Sequence, residues 1–174
     1  MTSKATSLNV RRALRAGFRE LAPLRPITKP VRTILVRPDI EETLNGRGPA
    51  IGFPHLMADR VVSVFIAGYL ITVSRKSAKN VDLEKLENLD EVWALCFRQP
   101  RPGWRLLGRL LEQDVFVGLQ LYERHYLRDR QNYSRLAAQI PQIWSVEFGT
   151  IGPLRATDLS AYLTGVYRDV DQAP

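Results

Sequence analysis

Arginine and aromatic residues are concentrated between residues 98 and 130, a combination suited to binding nucleic acid. Guanidinium groups bind phosphates, while tyrosine, tryptophan and histidine rings stack on bases that are splayed out of a helix. A first group lies on a turn and on the predicted strand that follows it: Arg98, Arg101, Trp104, Arg105 and Arg109. A second group lies at the end of the next predicted strand: Tyr122, Arg124, His125, Tyr126, Arg128 and Arg130. From these groups we predict nucleic-acid contacts by Arg98, Arg101, Arg109, Tyr122 and Tyr126.

The same residue types also fit cleavage of a phosphodiester without a metal. A base with a pKa near neutrality takes the proton of the 2′-hydroxyl, and an acid protonates the leaving 5′-oxygen. An arginine then stabilises the charged phosphorane. The alternative to both interpretations is a solvated sheet face, with Trp104 and Tyr122 packed against a helix.

Other common catalytic and cofactor-binding motifs are missing from the sequence. The glycines Gly46, Gly48 and Gly52 do not match the dinucleotide fingerprint, and they lack the lysine and hydroxyl of a P-loop. Neither the H-E-x-x-H sequence of zinc proteases nor a G-x-S-x-G nucleophile elbow occurs. With one cysteine, Cys96, and two histidines, the chain can form neither an internal disulfide nor a Cys/His zinc cluster. We therefore predict no metal and no cofactor.

The net charge of +7 arises almost entirely from the first 40 residues. They contain nine basic residues and only two acidic ones, whereas residues 41–174 contain 16 of each. Such asymmetry favours contact with RNA, DNA or an acidic protein, because basic residues near phosphates release counterions. The predicted contacts in this arm are made by Arg11, Arg12, Arg15 and Arg19. The alternative is a solubilising surface, since arginine is abundant along the whole chain.

The sequence predicts a cytoplasmic protein that does not contact a membrane. Residues 1–25 contain no long apolar run of the kind that a secretory signal needs, although their arginine-rich, acid-poor composition leaves a mitochondrial transit peptide as an alternative. The most apolar run, Val61–Val73, has 13 residues, whereas a membrane-spanning helix needs about 20.

Three apolar runs joined by turn-length connectors predict an antiparallel β-meander. The runs are Val92–Phe97, Trp104–Leu111 and Val115–Tyr122. We therefore expect an α+β fold with a sheet of three or four strands and helices on one face. In the second run Arg105, Leu107 and Arg109 should share one face of the sheet, because side chains alternate along a strand.

The flanking segments predict mostly helices. Ser7–Leu21 has the spacing of an amphipathic helix and Val31–Val36 that of a short strand, separated by a proline-rich connector. Two β segments are predicted around Gly68, Val61–Ala67 and Tyr69–Ser74, with a buried helix as the alternative. Leu83 and Leu86 have helical spacing. Two more helices are predicted over Asn132–Trp144 and Asp158–Tyr167. The 174 residues divide into a basic arm (1–45), an α+β core domain (46–145) and a C-terminal extension (146–174).

Residues 86–138 resemble the core of the RelE/ParE toxin superfamily, which includes phage-derived relatives. The segments that carry the resemblance are Val92–Phe97, Gly103–Leu107, Val115–Leu119, Tyr122–His125 and the pair Tyr133-Ser134. The resemblance implies ribosome-dependent cleavage of mRNA or poisoning of gyrase, and neutralisation by a small antitoxin. It places Arg105 and Arg124 on the phosphate, with His125, Tyr126 or Tyr133 as groups that transfer protons or stack. The catalytic residues it implies are Arg105, Arg124, His125 and Tyr133.

The sequence also departs from the family pattern. RelE-type nucleases commonly have lysines on the first strand of the meander, where this chain has Ala94 and Cys96, and Glu123 stands where a second basic residue is common. These departures favour an alternative function on the same fold. The chain would then be a non-catalytic factor of phage or mobile-element origin that binds nucleic acid or protein, such as an inhibitor of a host nucleoprotein.

Overall fold

A single mixed sheet of eight strands organises the residues that the structure describes. The structure is a computed structural model and describes residues 7–50, 52–76, 78, 80–127 and 130–172. The strands are β1 (Arg19–Glu20), β2 (Thr33–Val36), β3 (Ile71–Ser74), β4 (Leu83–Lys85), β5 (Trp93–Phe97), β6 (Trp104–Glu112), β7 (Val115–Glu123) and β8 (Tyr167–Asp169). Their order across the sheet is β1-β2-β7-β6-β5-β4-β3-β8. Neighbours from β4 to β7 are antiparallel, as are β1 and β2, whereas the pairs β2–β7, β3–β4 and β3–β8 are parallel.

The predicted meander is confirmed and forms the centre of this sheet, but the sheet has eight strands with three parallel pairs, not the three or four strands that were expected. Phe97 pairs with Trp104, and Trp104 in turn pairs with Glu123, so β5, β6 and β7 follow one another as neighbours. The turn between β5 and β6 requires glycine at position 103, where φ is +86° and a Cβ atom would lie 2.5 Å from the Phe97 carbonyl oxygen. The α+β character is likewise confirmed.

Helices cover both faces of the sheet, which corrects the expectation of helices on one face. In the described residues the α-helices are α1 (Leu8–Arg15), α2 (Pro38–Leu44), α3 (His55–Ile66), α4 (Arg130–Ala137), α5 (Ile140–Phe148) and α6 (Leu159–Tyr162). Apolar residues of α2, α3 and α6 pack on one face, and those of α1, α4 and α5 pack on the other. The central strands are therefore buried on both sides, as their nearly continuous apolar sequence allows.

Several flanking elements differ from the sequence-based expectations. Val61–Ala67 lies mostly in helix α3, which is the alternative to a strand, because His55 to Ile66 continues the helix upstream. Leu83 lies in strand β4 despite its helical spacing to Leu86. The helix predicted over residues 132–144 is two helices, since Pro141 begins a new one instead of continuing α4. The last predicted helix ends at Tyr162, and strand β8 follows it.

The N-terminal segment is built into the same body. Ser7 accepts a hydrogen bond from the Val10 amide and so caps the start of α1. Val10 and Phe18 are buried in the core, and β2 lies inside the sheet between β1 and β7. Residues 7–44 are therefore packed against the rest of the described chain. Residues 1–6, including Lys4, lie outside the described residues.

In the described part of the chain, no helix combines the length and the apolar character needed to cross a bilayer. The apolar run Val61–Val73 is instead divided between α3 and β3, with the turn at Gly68 between them. Phe65, Ile66 and Ile71 from this run are buried in the core under the sheet.

Arg32 is a fully buried cation that connects distant parts of the chain. Its guanidinium donates to the carbonyl oxygen of Thr164 at 2.6 and 2.9 Å, and to that of Val166 at 3.2 Å. It also donates to the Phe65 and Tyr69 carbonyl oxygens at 3.4 Å. Its Nε lies 3.9 Å from the Asp114 carboxylate. Burial lowers the pKa of Arg32, and Asp114 opposes this by raising it.

We expect Arg32→Met to destabilise the protein by about 3 kcal/mol or more, because it leaves the inward-facing carbonyl oxygens without their donor and removes the cation beside Asp114. Arg32→Lys should recover little of this loss, since one ammonium cannot reach the same spread of acceptors as the planar guanidinium. Urea unfolding measures both effects. Arg25→Met, at an exposed position, is the matched control and should change the free energy of unfolding only slightly. A loss below about 1 kcal/mol for Arg32→Met would contradict this role.

Candidate nucleic-acid interface

Five of the predicted side chains meet at one end of the sheet, where β5 ends, β6 begins and β7 ends. We call this surface the meander tip, and it consists of Arg98, Arg101, Arg124, His125 and Tyr126. A 3-10 turn over Arg124–Leu127 follows β7. The Arg124 amide donates to the Gly103 carbonyl oxygen at 2.8 Å, which holds this turn beside the β5–β6 turn.

Two arginines of the meander tip are available to a ligand. Arg101 and Arg124 are exposed, and neither side chain forms an ion pair with any residue in the described ranges. Arg98 is already engaged, because it donates to Asp82 Oδ1 at 2.7 Å and to the Asn80 carbonyl oxygen at 2.8 Å. An anion would therefore meet Arg101 and Arg124 first.

An exposed aromatic pair adjoins these cations. The rings of His125 and Tyr126 contact each other edge to face, with centroids 5.9 Å apart. Tyr126 is 61% exposed, so its ring is open to solvent. Such exposed rings provide stacking surfaces for bases.

Trp104 and Tyr122 pack against other side chains of the protein instead of facing a ligand. Trp104 is half-buried, and its ring lies edge-on to Phe53 with centroids 5.1 Å apart. Tyr122 packs against the apolar core on the opposite face, and this burial raises the pKa of its hydroxyl. Both rings therefore support the fold beneath the meander tip.

Arg105 lies below the surface in a buried polar cluster. It is 7% exposed, its Nε is 3.7 Å from Glu84 Oε1, and the Tyr133 hydroxyl donates to the same oxygen at 3.3 Å. Burial raises the pKa of Glu84, although Arg105, the hydrogen bond from Tyr133 and the charge of Arg124 lower it. Burial and the neighbouring carboxylate raise the pKa of Tyr133. Arg105 and Tyr133 are thus brought together, but around a carboxylate of the protein itself.

Glu84 is the residue of this cluster that the sequence analysis missed. It pairs with Ala94 across β4 and β5 and faces the same side of the sheet as Arg105. The three residues of β4 are too few to show the alternation of a strand, and the spacing of Leu83 and Leu86 favoured a helix. The neighbouring Cys96 is buried, and burial raises the pKa of its thiol to about 12, so it stays protonated at neutral pH.

Arg109 does not reach the meander tip. It is 3% exposed and lies farther along β6, where its guanidinium is 5.7 Å from the centre of the Trp144 ring. Its Nη2 donates to Asp90 Oδ2 at 2.9 Å, and Asp90 also accepts a hydrogen bond from Arg155 at 2.7 Å. Burial opposes the charge of Asp90, but these two arginines lower its pKa. In this position the contact between Arg109 and the Trp144 ring links α5 to the sheet.

The arginines of α1 form a second basic surface at the other end of β6. Arg11, Arg12 and Arg15 are exposed, while Arg19 pairs with Glu41 at 2.8 Å. The helix begins where the Ser7 hydroxyl donates to Glu112 Oε2 at 2.7 Å, and Glu112 is the last residue of β6. The arginines of α1 therefore lie nearly the length of strand β6 away from the arginines of the meander tip. Arg128 lies outside the described residues.

Comparison of the chain with protein-family models, with curated proteins and with solved structures finds no match.

The raised pKa of Glu84 predicts a specific pH dependence of stability. The folded state binds this proton more tightly than the unfolded chain does, whose pKa is ordinarily 4.5. The stability that the protonated carboxyl contributes is complete below that pH and is lost as the pH rises toward the folded pKa. Glu84→Gln does not titrate, so the free energy of unfolding of the native protein should fall relative to that of the variant as the pH rises above 4.5.

Urea unfolding of both proteins across a pH series measures this difference. Glu87→Gln, at an exposed position, serves as the matched control and should unfold in parallel with the native protein at every pH. A difference between Glu84→Gln and the native protein that stays constant with pH would contradict the assignment.

Proposed function

We propose that this chain is a RelE-like protein that binds RNA through the meander tip. The observation that carries the proposal is the combination of two exposed arginines without ion pairs among the described residues, Arg101 and Arg124, and the exposed pair His125–Tyr126 beside them. Arginines bind phosphates and exposed rings stack on bases, so this arrangement meets both needs of an RNA ligand.

RNA is favoured over duplex DNA by the shape of this surface. The meander tip consists of two turns and the end of a sheet, and the helix that follows it, α4, packs Tyr133 and Ala137 on the face of the sheet. Recognition of duplex DNA commonly places a helix in the major groove, and the turns of the meander tip do not provide one. Stacking on Tyr126 also requires bases that are not paired in a duplex. An acidic partner protein, such as the antitoxin that the family resemblance implies, would compete for the same two arginines.

Metal-free cleavage of the bound RNA is a second candidate function. Arg124 is exposed next to His125, and its charge reaches Glu84 in the polar cluster below. In this reaction His125 would take the 2′-hydroxyl proton, and the 2′-oxygen would attack the phosphorus while Arg124 stabilises the phosphorane. The P–O5′ bond would then break, and solvent would protonate the leaving 5′-oxygen. Arg105 and Tyr133 would hold the surface in place from beneath, since both are engaged with Glu84.

We expect Arg101→Ala/Arg124→Ala to weaken binding of a single-stranded RNA and to reduce its dependence on salt. Each lost phosphate contact lowers the slope of log K against log[salt] by about 0.7, so the double variant should lose about 1.4. Fluorescence anisotropy over a salt series measures this slope. Arg25→Ala/Arg168→Ala removes the same charge at exposed positions outside the meander tip and should leave the slope nearly unchanged.

Two other outcomes of this experiment would decide against the proposal. Equal slopes for the two double variants would show that the meander tip makes no special contact. Tighter binding of duplex DNA than of single-stranded RNA would assign the surface to another ligand. A triple variant of Arg11, Arg12 and Arg15 tests the second basic surface in the same assay, and its slope should equal that of the native protein.

Cleavage is tested by inducing expression of the chain while growth and mRNA integrity are followed. If the protein cleaves RNA, growth should stop and mRNA should be lost, and His125→Ala/Arg124→Ala should relieve both effects. In vitro, cleavage should persist in EDTA and should stop when the 2′-hydroxyls of the substrate are replaced by hydrogen. Both substituted residues are exposed, so loss of activity in this variant would not reflect unfolding, and its melting temperature provides the control. Normal growth and intact mRNA would leave RNA binding without cleavage.

A further inference from the structure

The outward face of α1 has a row of exposed basic side chains. The opposite face of the helix packs on the body through Val10 and Ala13, which are 6% and 0% exposed. Residues spaced i, i+3, i+4 and i+7 lie together on one side of a helix. On the outward side of α1 the residues with this spacing, all of them exposed, are Leu8, Arg11, Arg12 and Arg15. We call this set the α1 stripe.

The arginines of the α1 stripe have no partner among the residues that the structure describes. Their side chains form no ion pair, hydrogen bond or ring contact within those ranges, whereas Arg19 just beyond them pairs with Glu41 at 2.8 Å. The helix sequence LNVRRALR contains no acidic residue. The carboxylate at the start of the helix, that of Glu112, already accepts a hydrogen bond from the Ser7 hydroxyl at 2.7 Å. Because a guanidinium has donors and no acceptor, the stripe offers donors and positive charge in excess.

Stabilisation of the helix itself accounts for only part of the stripe. Arg12 and Arg15 lie in the last turn of α1, where positive charge interacts favourably with the helix dipole. Arg11 lies outside that turn and gains nothing comparable. A ligand with negative charges along the helix would engage all three.

The neighbours of these arginines favour a protein as that ligand. Leu8 is 56% exposed and Leu14 is 38% exposed, so apolar surface lies beside the charges near both ends of the helix. Such surface gains nothing against phosphates, but apolar side chains of a partner protein would bury it. The residues of α1 include no aromatic or histidine ring, in contrast with the meander tip, so they provide no stacking surface for bases.

A bilayer surface fits this helix less well than a protein does. An interfacial helix inserts its apolar face among the lipids, but in α1 that face is already in the core, where Val10 and Ala13 pack with Phe18. The start of the helix is also fixed, because the Ser7 hydroxyl accepts from the Val10 amide at 3.2 Å and donates to Glu112. The helix therefore presents its stripe in a fixed orientation.

We propose that the α1 stripe docks an acidic amphipathic helix of a partner protein. Carboxylates spaced three and four residues apart on such a helix recur with the same rise of about 1.5 Å per residue as the arginines of α1. Two helices lying side by side thus bring the opposite charges together, and each guanidinium can bind a carboxylate through two hydrogen bonds. Leu8 and Leu14 meet apolar residues of the partner helix. The stripe lies away from the meander tip, so this docking does not depend on RNA binding.

The test is a fluorescence-anisotropy titration of the full chain against a labelled synthetic helix of about 20 residues, with glutamates three and four apart on one face and leucines beside them. Replacing its glutamates by glutamine should weaken binding at least about tenfold, and salt should weaken binding of the glutamate peptide. Arg11→Gln/Arg15→Gln should also weaken it at least about tenfold. The matched control, Arg25→Gln/Arg168→Gln, removes the same charge at exposed positions elsewhere and should change the affinity less than about twofold. Leu8→Ala should weaken binding about threefold while keeping a strong helix former in place.

Arg11→Lys/Arg15→Lys provides a second route if the glutamine variant melts at a lower temperature than the native protein. It keeps the charge near the end of the helix and loses the planar fork, so it should still bind the peptide more weakly than the native protein does. Absence of binding up to about 1 mM peptide would overturn the proposal. Equal affinities of the two glutamine variants, or of the native protein for the two peptides, would do the same. Tighter binding of a DNA duplex, a single-stranded RNA or phosphatidylserine vesicles through these arginines would assign the stripe to another ligand and also overturn it.

Discussion

The buried guanidinium of Arg32 is the constraint on which the arrangement of the sheet depends. Its acceptors come from the end of α3, the turn into β3, the segment before β8 and the hairpin between β6 and β7. Thr164, one of these acceptors, lies 132 residues after Arg32 in the chain. A buried charge is tolerated only when it is surrounded by acceptors, so the segments must arrive together. The strands that flank the meander are thereby fixed relative to one another by a polar contact within an apolar body.

The coverage of both sheet faces determines where function can lie. Two apolar clusters cover the faces of the sheet. Charged residues that point into them, such as Arg105 and Arg109, form ion pairs with carboxylates of the protein itself. What is left for ligands is the two ends of the sheet and the outer surface of α1. At one end of the sheet exposed arginines and rings extend outward, and on α1 exposed arginines do the same.

The central strands could be predicted from the sequence because their signals are local. Apolar runs with short connectors specify β5, β6 and β7, and strand alternation correctly placed Arg105 and Arg109 on one face. What alternation does not reveal is what covers that face. Helix α5 carries Trp144 onto Arg109, and α4 carries Tyr133 onto Glu84, so side chains expected to meet a ligand meet the protein instead. Glu84 itself escaped notice because β4 has three residues, too few to display a period. The exposed residues of the meander tip, in contrast, lie on turns, where composition alone is informative.

The parallel pairing of β2 with β7 has a consequence for synthesis of the chain. Thr33 pairs with Val115, so the strand Thr33–Val36 emerges 82 residues before its partner begins. At translation rates of about 5–20 residues per second, this apolar segment waits roughly 4–16 s without its native neighbour. Arg32 and Arg37 flank the segment directly, and charged flanks of this kind discourage apolar strands from associating with other chains. Arg32, which is buried in the folded protein, thus first opposes aggregation of the nascent chain.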